Sequence, residues 1–222
     1  MSGIIFHSMP DSTYLWTAML VADEKGVPYT FRPLEYRSAE HLRWHPFGKM
    51  PLMQHGDFRL YETAAIAHYL DKAFDGPALQ PATPRDQADV IRWISIVNSY
   101  VFPVMNRVTK ERLVRPAWGL EPDREFLEAA HESLLLQTKL IEEALTASRF
   151  LVGDGLTLAD CFLLPHLMFF SITPEGREMI ASLPQTRQWL DSMMDRPTLA
   201  ESSMSAAFRA MAAETDRPGP IG

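Results

Sequence analysis

Residues 46–66, PFGKMPLMQHGDFRLYETAAI, decide the fold of the first part of this chain. Two short apolar runs, residues 52–54 and 58–60, flank the turn residues His55, Gly56 and Asp57, which predicts a tight antiparallel hairpin. A helix is predicted directly after it, because apolar residues recur with helical spacing. They are Ile66, Tyr69, Leu70 and Ala73.

Upstream of this segment, the pattern predicts a strand at residues 4–6, a helix, and a second strand at residues 29–32. A short helix is expected near residues 38–44. The resulting order, β, α, β, α, β, β, α, is thioredoxin-like. A right-handed βαβ crossover places the start of the first helix at the carboxyl end of the first strand, where α/β folds usually keep their ligands.

Downstream, residues 75–84 are rich in Pro and Gly and lose all periodicity, so we expect a domain boundary there. The predicted organisation is an α/β thioredoxin-like domain followed by an all-α helical bundle. Its limits are 1–78 for the first domain, 79–86 for a linker, 87–212 for the helical domain and 213–222 for a loose tail. Helices are predicted at 85–113, 123–145, 157–170, 186–194 and 199–211.

Two local features stand out in the helical half. Pro103 lies inside the first predicted helix and should kink it. Thr157 and Asp160 have the spacing of a capping box, and Leu156 can pack against Cys161 as a hydrophobic staple. This gives the lone cysteine a packing role rather than a reactive one.

Composition narrows the class of function. The net charge of −7 argues against nucleic acid and anionic membrane as partners, and favours a small ligand. The single cysteine agrees with a reducing compartment, and we expect a cytoplasmic protein. No signal peptide and no membrane span is predicted.

The residues around the hairpin suggest a site for an extended peptide. Pro51 cannot donate to a sheet ladder, so the preceding Met50 could leave its backbone groups free to pair with an added strand. Next to it, Glu62 and Thr63 open a helix whose unpaired amides suit a carboxylate. A plain strand start and helix cap is the structural alternative.

Five motifs in order resemble the cytosolic glutathione S-transferase superfamily, and its phi class in particular, of bacterial or plant type. They are MPDS, HPFGKMP, LYETAAI, RPAWGLEPD and GDGLTLADCFLLPHL, and the resemblance covers about residues 3–200. It implies a homodimer that binds glutathione as co-substrate. The family usually has Ser at the position of Thr63, and the hydroxyl survives that change.

The resemblance implies a role for particular residues. Ser12 is the candidate catalytic hydroxyl, and Phe47 is the aromatic key inserted into the partner subunit. The glutathione-binding residues are Arg37, Lys49, Met50, Pro51, Glu62 and Thr63, with Lys49 or Arg37 at the glycine carboxylate and Glu62 and Thr63 at the γ-glutamyl end. The hydrophobic substrate residues are Thr13, Asn106, Leu113 and Trp118.

Ser12 could stabilise a thiolate without acting as a base. Lowering a thiol pKa by two units takes about 2.7 kcal/mol, and a hydrogen bond to a charged acceptor with a helix N-terminus supplies about that. Ser8, Thr13 and Tyr14 compete for the role. We expect Asp11 to be the N-cap of the first helix, which would turn its carboxylate away from a thiolate.

The predicted function is conjugation of the glutathione thiolate to a hydrophobic electrophile, as in detoxification. The alternatives are a non-catalytic binding or regulatory protein of the same fold, and another glutathione-dependent activity such as peroxidase, isomerase or ether cleavage. His41 and His45 have a metal-compatible i, i+4 spacing, but no third ligand accompanies them, so no metal is expected.

Overall fold

The computed structural model describes residues 3–200 and 202–215, without the side chain of Glu214. Contacts divide the chain into two compact units, with the division after Pro84. The elements of the first unit are β1 (Ile4–Ser8), α1 (Thr13–Glu24), β2 (Tyr29–Pro33), α2 (Ala39–Trp44), β3 (Leu52–His55), β4 (Phe58–Tyr61) and α3 (Thr63–Ala73). The predicted α/β thioredoxin-like order is confirmed.

The four strands form one mixed sheet in the order β2-β1-β3-β4. β1 is parallel to β2 and antiparallel to β3, and β3 is antiparallel to β4 through the predicted hairpin. Gly56 adopts φ +64° in its two-residue turn, a conformation that costs glycine little. The register places His7, Leu52 and Tyr61 side by side, so β1 ends, β3 begins and β4 ends at one edge of the sheet.

The chain that leaves α3 is fastened back onto the first unit. Asp71, a buried carboxylate, accepts hydrogen bonds from the Leu79 amide at 2.7 Å and the Gln80 side chain at 3.0 Å. Lys25 lies 3.6 Å from the same carboxylate and donates to the Pro77 carbonyl. A new helix begins at Pro84. Within the predicted linker of residues 79–86, the first two residues are therefore hydrogen-bonded to Asp71, and the last three are helical.

The second unit is helical, as predicted. It contains α4 (Pro84–Ile96), the π-helical segment π1 (Val97–Asn106), α5 (Arg107–Thr109), the π-helical segment π2 (Lys110–Val114), α6 (Arg115–Ala117), α7 (Arg124–Ala147), α8 (Leu158–Ser171), α9 (Pro174–Ala181), α10 (Pro184–Met194), α11 (Pro197–Ala200) and α12 (Ser203–Thr215).

Three details of this unit differ from the sequence prediction. The helix expected at residues 85–113 changes to π-helical turns around Pro103, which has no N–H for the regular ladder. α9 was not predicted, although Thr173 caps it by accepting from the Gly176 amide. α12 runs to Thr215, so residues 213–215 are helical, and residues 216–222 of the predicted tail lie outside the described residues.

The predicted capping box forms at the start of α8. The amide and the hydroxyl of Thr157 both donate to the Asp160 carboxylate, at 3.0 and 2.8 Å. The same carboxylate accepts from the Leu151 amide and the Trp189 indole, so it joins three segments of the unit. Burial raises the pKa of Asp160 nonetheless. Cys161, the next residue, is fully buried, in agreement with its expected packing role.

Among the residues that the structure describes, no helix is long and apolar enough to cross a membrane.

His166 in α8 should make stability depend on pH. It is 1% exposed, and burial lowers its pKa to about 3. Below the unfolded pKa of about 6.5, the unfolded chain binds a proton that the folded chain excludes. The free energy of unfolding therefore decreases as the pH is lowered. Between about pH 7.5 and pH 5 this residue should contribute a loss of about 2 kcal/mol.

Denaturant unfolding of wild type and His166→Gln at both pH values tests this, because all other titrating groups are shared. The stability difference between the two proteins should shift by about 2 kcal/mol in favour of the variant at the lower pH. The exposed His131 on α7 provides the control His131→Gln, which should leave the pH dependence unchanged. Parallel curves for wild type and His166→Gln would contradict the assignment.

Candidate functional site

Ser12 lies at the start of α1, just beyond the end of β1. It is the N-cap, and its side-chain oxygen accepts a hydrogen bond from the Leu15 amide at 3.3 Å. The expectation that Asp11 caps this helix is therefore wrong. The extended backbone of Ser12, at φ −79° and ψ 118°, has the usual N-cap geometry and places its hydroxyl over the first turn. Because the oxygen accepts this bond, the hydroxyl hydrogen remains available for a second partner.

Three other hydroxyls lie near this turn. Ser8 is fully buried in β1 and Thr13 is half-buried as the first residue of α1. Tyr14 is half-buried, and burial followed by the charge of Glu62 raises the pKa of its phenol. A phenol with a raised pKa stays protonated, so Tyr14 is excluded as a base but keeps its O–H as a hydrogen-bond donor.

His41 fastens the segment that carries the two candidate cations. It is fully buried in α2, its Nδ1 accepts from the Arg37 amide at 2.9 Å, and its Nε2 lies 2.8 Å from the Lys49 carbonyl. Since Nδ1 accepts, the proton is on Nε2, which donates to Lys49. One imidazole therefore bridges the loops on both sides of α2.

Backbone conformation brings Arg37 towards Lys49. Arg37 has φ +60°, which is uncommon for a residue with a side chain. Gly48 also has positive φ, and a Cβ added there would lie 3.4 Å from an Arg37 guanidinium nitrogen and 3.1 Å from Leu42. The Arg37 side chain therefore lies at ordinary contact distance from Gly48, the residue before Lys49, and a side chain at position 48 would crowd only Leu42. Both cations are exposed, and neither has a carboxylate partner in the described part of the chain.

Met50 lies at the edge where the sheet ends. The Met50–Pro51 peptide bond is cis, and the first ladder pair of β3 comes two residues later, at Leu52. The Met50 sulfur accepts from the Met9 amide at 3.4 Å, and the Met9 carbonyl accepts from the Ser12 amide. Met50 and Ser12 are therefore both hydrogen-bonded to the backbone of Met9.

Glu62 and Thr63 lie at the same sheet edge, where β4 gives way to α3. Glu62 has φ +70°, and Thr63 is buried as the first residue of α3. No side chain caps α3 within the described residues, so its first amides remain open to an anion. The Glu62 side chain is 64% exposed, which leaves its carboxylate able to meet a cation.

His45 lies behind Glu62. It is 1% exposed, its ring contacts Tyr61 at 4.5 Å between centroids, and its Nε2 is 3.8 Å from Glu62 Oε1, too far for a hydrogen bond. Burial lowers its pKa, so it is neutral near pH 7. The His41–His45 pair forms no metal cluster with other described side chains.

The second unit carries the remaining predicted substrate residues. Asn106 and Leu113 are half-buried in π1 and π2, and Trp118 is 74% exposed after α6. The buried Glu111 holds the turn that carries Trp118, because it pairs with Arg115 at 3.0 Å and accepts from the Asp123 amide at 2.8 Å.

The loop after α2 carries Phe47, and the bridge made by His41 lies next to it. Phe47, the predicted dimer key, is 69% exposed on the loop after α2. The sequence pattern did not predict the bridge made by His41, because the i, i+4 spacing of His41 and His45 is typical of a metal site rather than of a contact between loops. The usable signal was its place between Arg37 and Lys49, within the first turn of a helix capped by Ser38.

Comparison with known protein families gives two matches, one in each half of the chain. Residues 6–78 match the glutathione S-transferase N-terminal domain, and residues 94–197 match the glutathione S-transferase C-terminal domain. Together the two matches span most of the chain, including β1 through α3 and the helices from late α4 to the start of α11.

Individual relatives and solved structures that resemble this chain are also glutathione S-transferases. Glutathione S-transferase F6 of Arabidopsis thaliana is 26% identical over 204 residues, covering 89% of this chain and 98% of its own. A probable glutathione S-transferase, GSTF2, of Oryza sativa subsp. japonica is 28% identical over 84% of this chain and 91% of its own. The structure of glutathione S-transferase-I bound with lactoylglutathione has a TM-score of 0.83 and 25% identity, covering 92% of this chain and 99% of its own. The chain belongs to the glutathione S-transferase family and is phi-class-like.

Proposed function

We propose that this protein conjugates the glutathione thiolate to a hydrophobic electrophile, and that the Ser12 hydroxyl stabilises the thiolate. The observation that carries this proposal is the hydrogen bond from the Leu15 amide to the Ser12 oxygen. It fixes the hydroxyl at the helix start while leaving its hydrogen free to donate to sulfur. The relative solved with lactoylglutathione supports glutathione as the co-substrate.

The charges around Ser12 suit a tripeptide with two carboxylates and one ammonium. Glu62 would receive the γ-glutamyl ammonium, and the open amides at Thr63 would receive the adjacent carboxylate. Arg37 and Lys49, which have no internal counter-ion in the described chain, would meet the glycine carboxylate. Between these ends, the backbone of Met50 would pair with the cysteinyl unit, with Pro51 keeping it out of the ladder.

The reaction needs the thiolate rather than the thiol. The thiol proton leaves to solvent, sulfur forms a bond to the electrophilic carbon, and the displaced electron pair departs with the leaving group or takes up a proton. A hydrogen bond from Ser12 to sulfur contributes about 1.5 to 3 kcal/mol, and the α1 N-terminus adds about 0.3 to 1 kcal/mol. Together these match the roughly 2.7 kcal/mol needed to lower a thiol pKa by two units.

The unit that ends at Pro84 would bind glutathione, and the helical unit would govern the choice of electrophile. We assign Thr13, Asn106, Leu113 and Trp118 to the acceptor side. The exposed indole of Trp118 is an apolar surface that an aromatic electrophile could contact. We also propose that the protein acts in the reducing cytoplasm and that the reaction serves detoxification.

Glutathione binding is the first test. Calorimetric titration should show binding that weakens about tenfold or more in Glu62→Gln, because a charge-assisted contact to the ammonium is lost. Glu132→Gln removes an equal charge from an exposed position on α7 and is the control. Absence of binding by wild type at millimolar glutathione would defeat the proposal, whereas binding without turnover would favour a non-catalytic protein.

Substitution of Ser12 tests the catalytic role. Because Ser12 is also an N-cap, Ser12→Ala confounds catalysis with a cap loss of about 1 kcal/mol, whereas Ser12→Gly retains most of the cap stability. Ser12→Gly should therefore lower kcat/KM about thirtyfold, from a loss near 2 kcal/mol, with glutathione affinity nearly unchanged. Ser12→Thr, which keeps the hydroxyl, should retain most activity. Equal rates for the wild type and the glycine variant would transfer the role to another group.

The protein should be a two-fold dimer held in part by Phe47, whose exposed ring would enter an apolar pocket of the partner subunit. A two-fold interface uses the contact twice, so Phe47→Ala should weaken the dimer by about 4 kcal/mol, from about 2 kcal/mol at each anchor. Phe47→Leu keeps an apolar side chain and should weaken it less. Sedimentation velocity over a dilution series measures both, and an alanine variant as tightly dimeric as wild type would refute the assignment.

A further inference from the structure

A small pocket opens on the α2-covered face of the sheet in the first unit. It has a volume of about 180 Å³ and is lined by Arg43, Trp44, Leu52, Arg59, Leu60 and Tyr61. Arg43 and Trp44 come from the last turn of α2, and the other residues come from β3 and β4. Its walls are therefore supplied by regular elements rather than by loops.

The pocket is lined by positive charge without a counter-ion. Arg43 and Arg59 form no ion pair and no side-chain hydrogen bond within the described residues. Arg32 adds a third guanidinium on the same face, because it is paired across β1 and β2 with His7, which is paired in turn with Leu52. This concentration contrasts with a net charge of −7 for the whole chain. A bound anion would therefore supply the counter-ion that the described part of the protein does not.

Trp44 holds Arg59 in an orientation suited to a carboxylate. The guanidinium carbon of Arg59 lies 3.7 Å from the centroid of the Trp44 ring, within the range of a cation–π contact. Stacking restrains the guanidinium while its N–H groups point outward in its own plane, where they can make a bidentate contact. The side-chain entropy of Arg59 is thus partly lost before any ligand binds.

His7 does not line the pocket itself, but it contacts the lining residue Trp44. Its ring contacts Trp44 edge-on at 5.0 Å, and its Nε2 is buried without a hydrogen-bond partner in the described structure. Burial lowers the pKa of His7, and the charges of Arg32 and Arg59 lower it further, while a hydrogen bond with the Gln54 side chain and the charge of Glu40 act in the opposite sense. His7 is therefore a neutral neighbour rather than a counter-ion for an acid.

We propose that this pocket is a second binding site, which takes a small aromatic anion with one ring and one carboxylate. The size fits, since a cavity of about 150 Å³ accepts benzene. Leu52, Leu60 and Tyr61 supply the apolar and aromatic walls for the ring, and Arg43 with Arg59 supplies the charged contact. None of the residues assigned above to glutathione or its acceptor lines the pocket.

Benzoate is the probe, titrated by ligand-observed NMR with S-hexylglutathione at saturation so that the glutathione site is filled. We expect a dissociation constant on the order of 1 mM, as befits nine non-hydrogen atoms. Benzamide, the neutral counterpart, and inorganic phosphate, which has no ring, should bind about tenfold more weakly or not at all.

Variants locate the site. Arg59→Gln should weaken benzoate about tenfold or more, and Arg59→Lys should also weaken it, because lysine cannot make the planar bidentate contact. Arg43→Gln provides a second test on a different element. The control is Arg187→Gln, which removes an equal charge from an exposed position on α10 and should leave affinity unchanged.

Several results would overturn the proposal. They are no binding by wild type at ten times the expected constant, equal binding of benzamide or phosphate, competition by S-hexylglutathione, or an equal loss in Arg187→Gln. The glutathione titration of Glu62→Gln is independent of all of these, so failure of this site would leave the proposed reaction standing.

Discussion

The hydrogen bond from the Leu15 amide to the Ser12 oxygen is the contact on which the functional geometry depends. It satisfies an otherwise open donor of the first turn of α1, and it fixes the direction of the hydroxyl. Because the oxygen is used as an acceptor, the hydrogen points elsewhere, and in the proposed reaction it is donated to the thiolate. One interaction thus contributes to both fold stability and the proposed chemistry.

The sheet supplies the second constraint. Its register ends β1 and β4 and begins β3 at one edge, so Ser12, Met50 and Glu62 leave the sheet close together. Two residues assigned to the site, Glu62 and Arg37, have uncommon backbone conformations, with φ of +70° and +60°. Such conformations cost free energy and persist when surrounding structure holds them. For Arg37 the holding contact is visible, since the buried His41 accepts from its amide while donating to the Lys49 carbonyl.

Much of this arrangement could be predicted from residue patterns. The two short apolar runs on either side of Gly56 predicted the hairpin, and the spacing of Thr157 and Asp160 predicted the capping box, because both features depend on neighbours in the chain. Other features depend on competition that local patterns do not resolve. Asp11 and Ser12 are both good N-caps, and only the path of the chain from β1 selects Ser12. The His41 bridge links residues through tertiary contacts, and the π-helical turns around Pro103 reflect packing as well as the missing N–H.

The central claim is that Ser12 lowers the pKa of bound glutathione, and the most direct measurement is a pH titration of thiolate absorbance in the enzyme–glutathione complex. Wild type should show a thiol pKa roughly two units below the free value of about 8.5, and Ser12→Gly should return most of the way to it. The comparison with glycine keeps the helix start largely stable, so the change would report the hydroxyl. An identical, lowered pKa in both proteins would contradict the account.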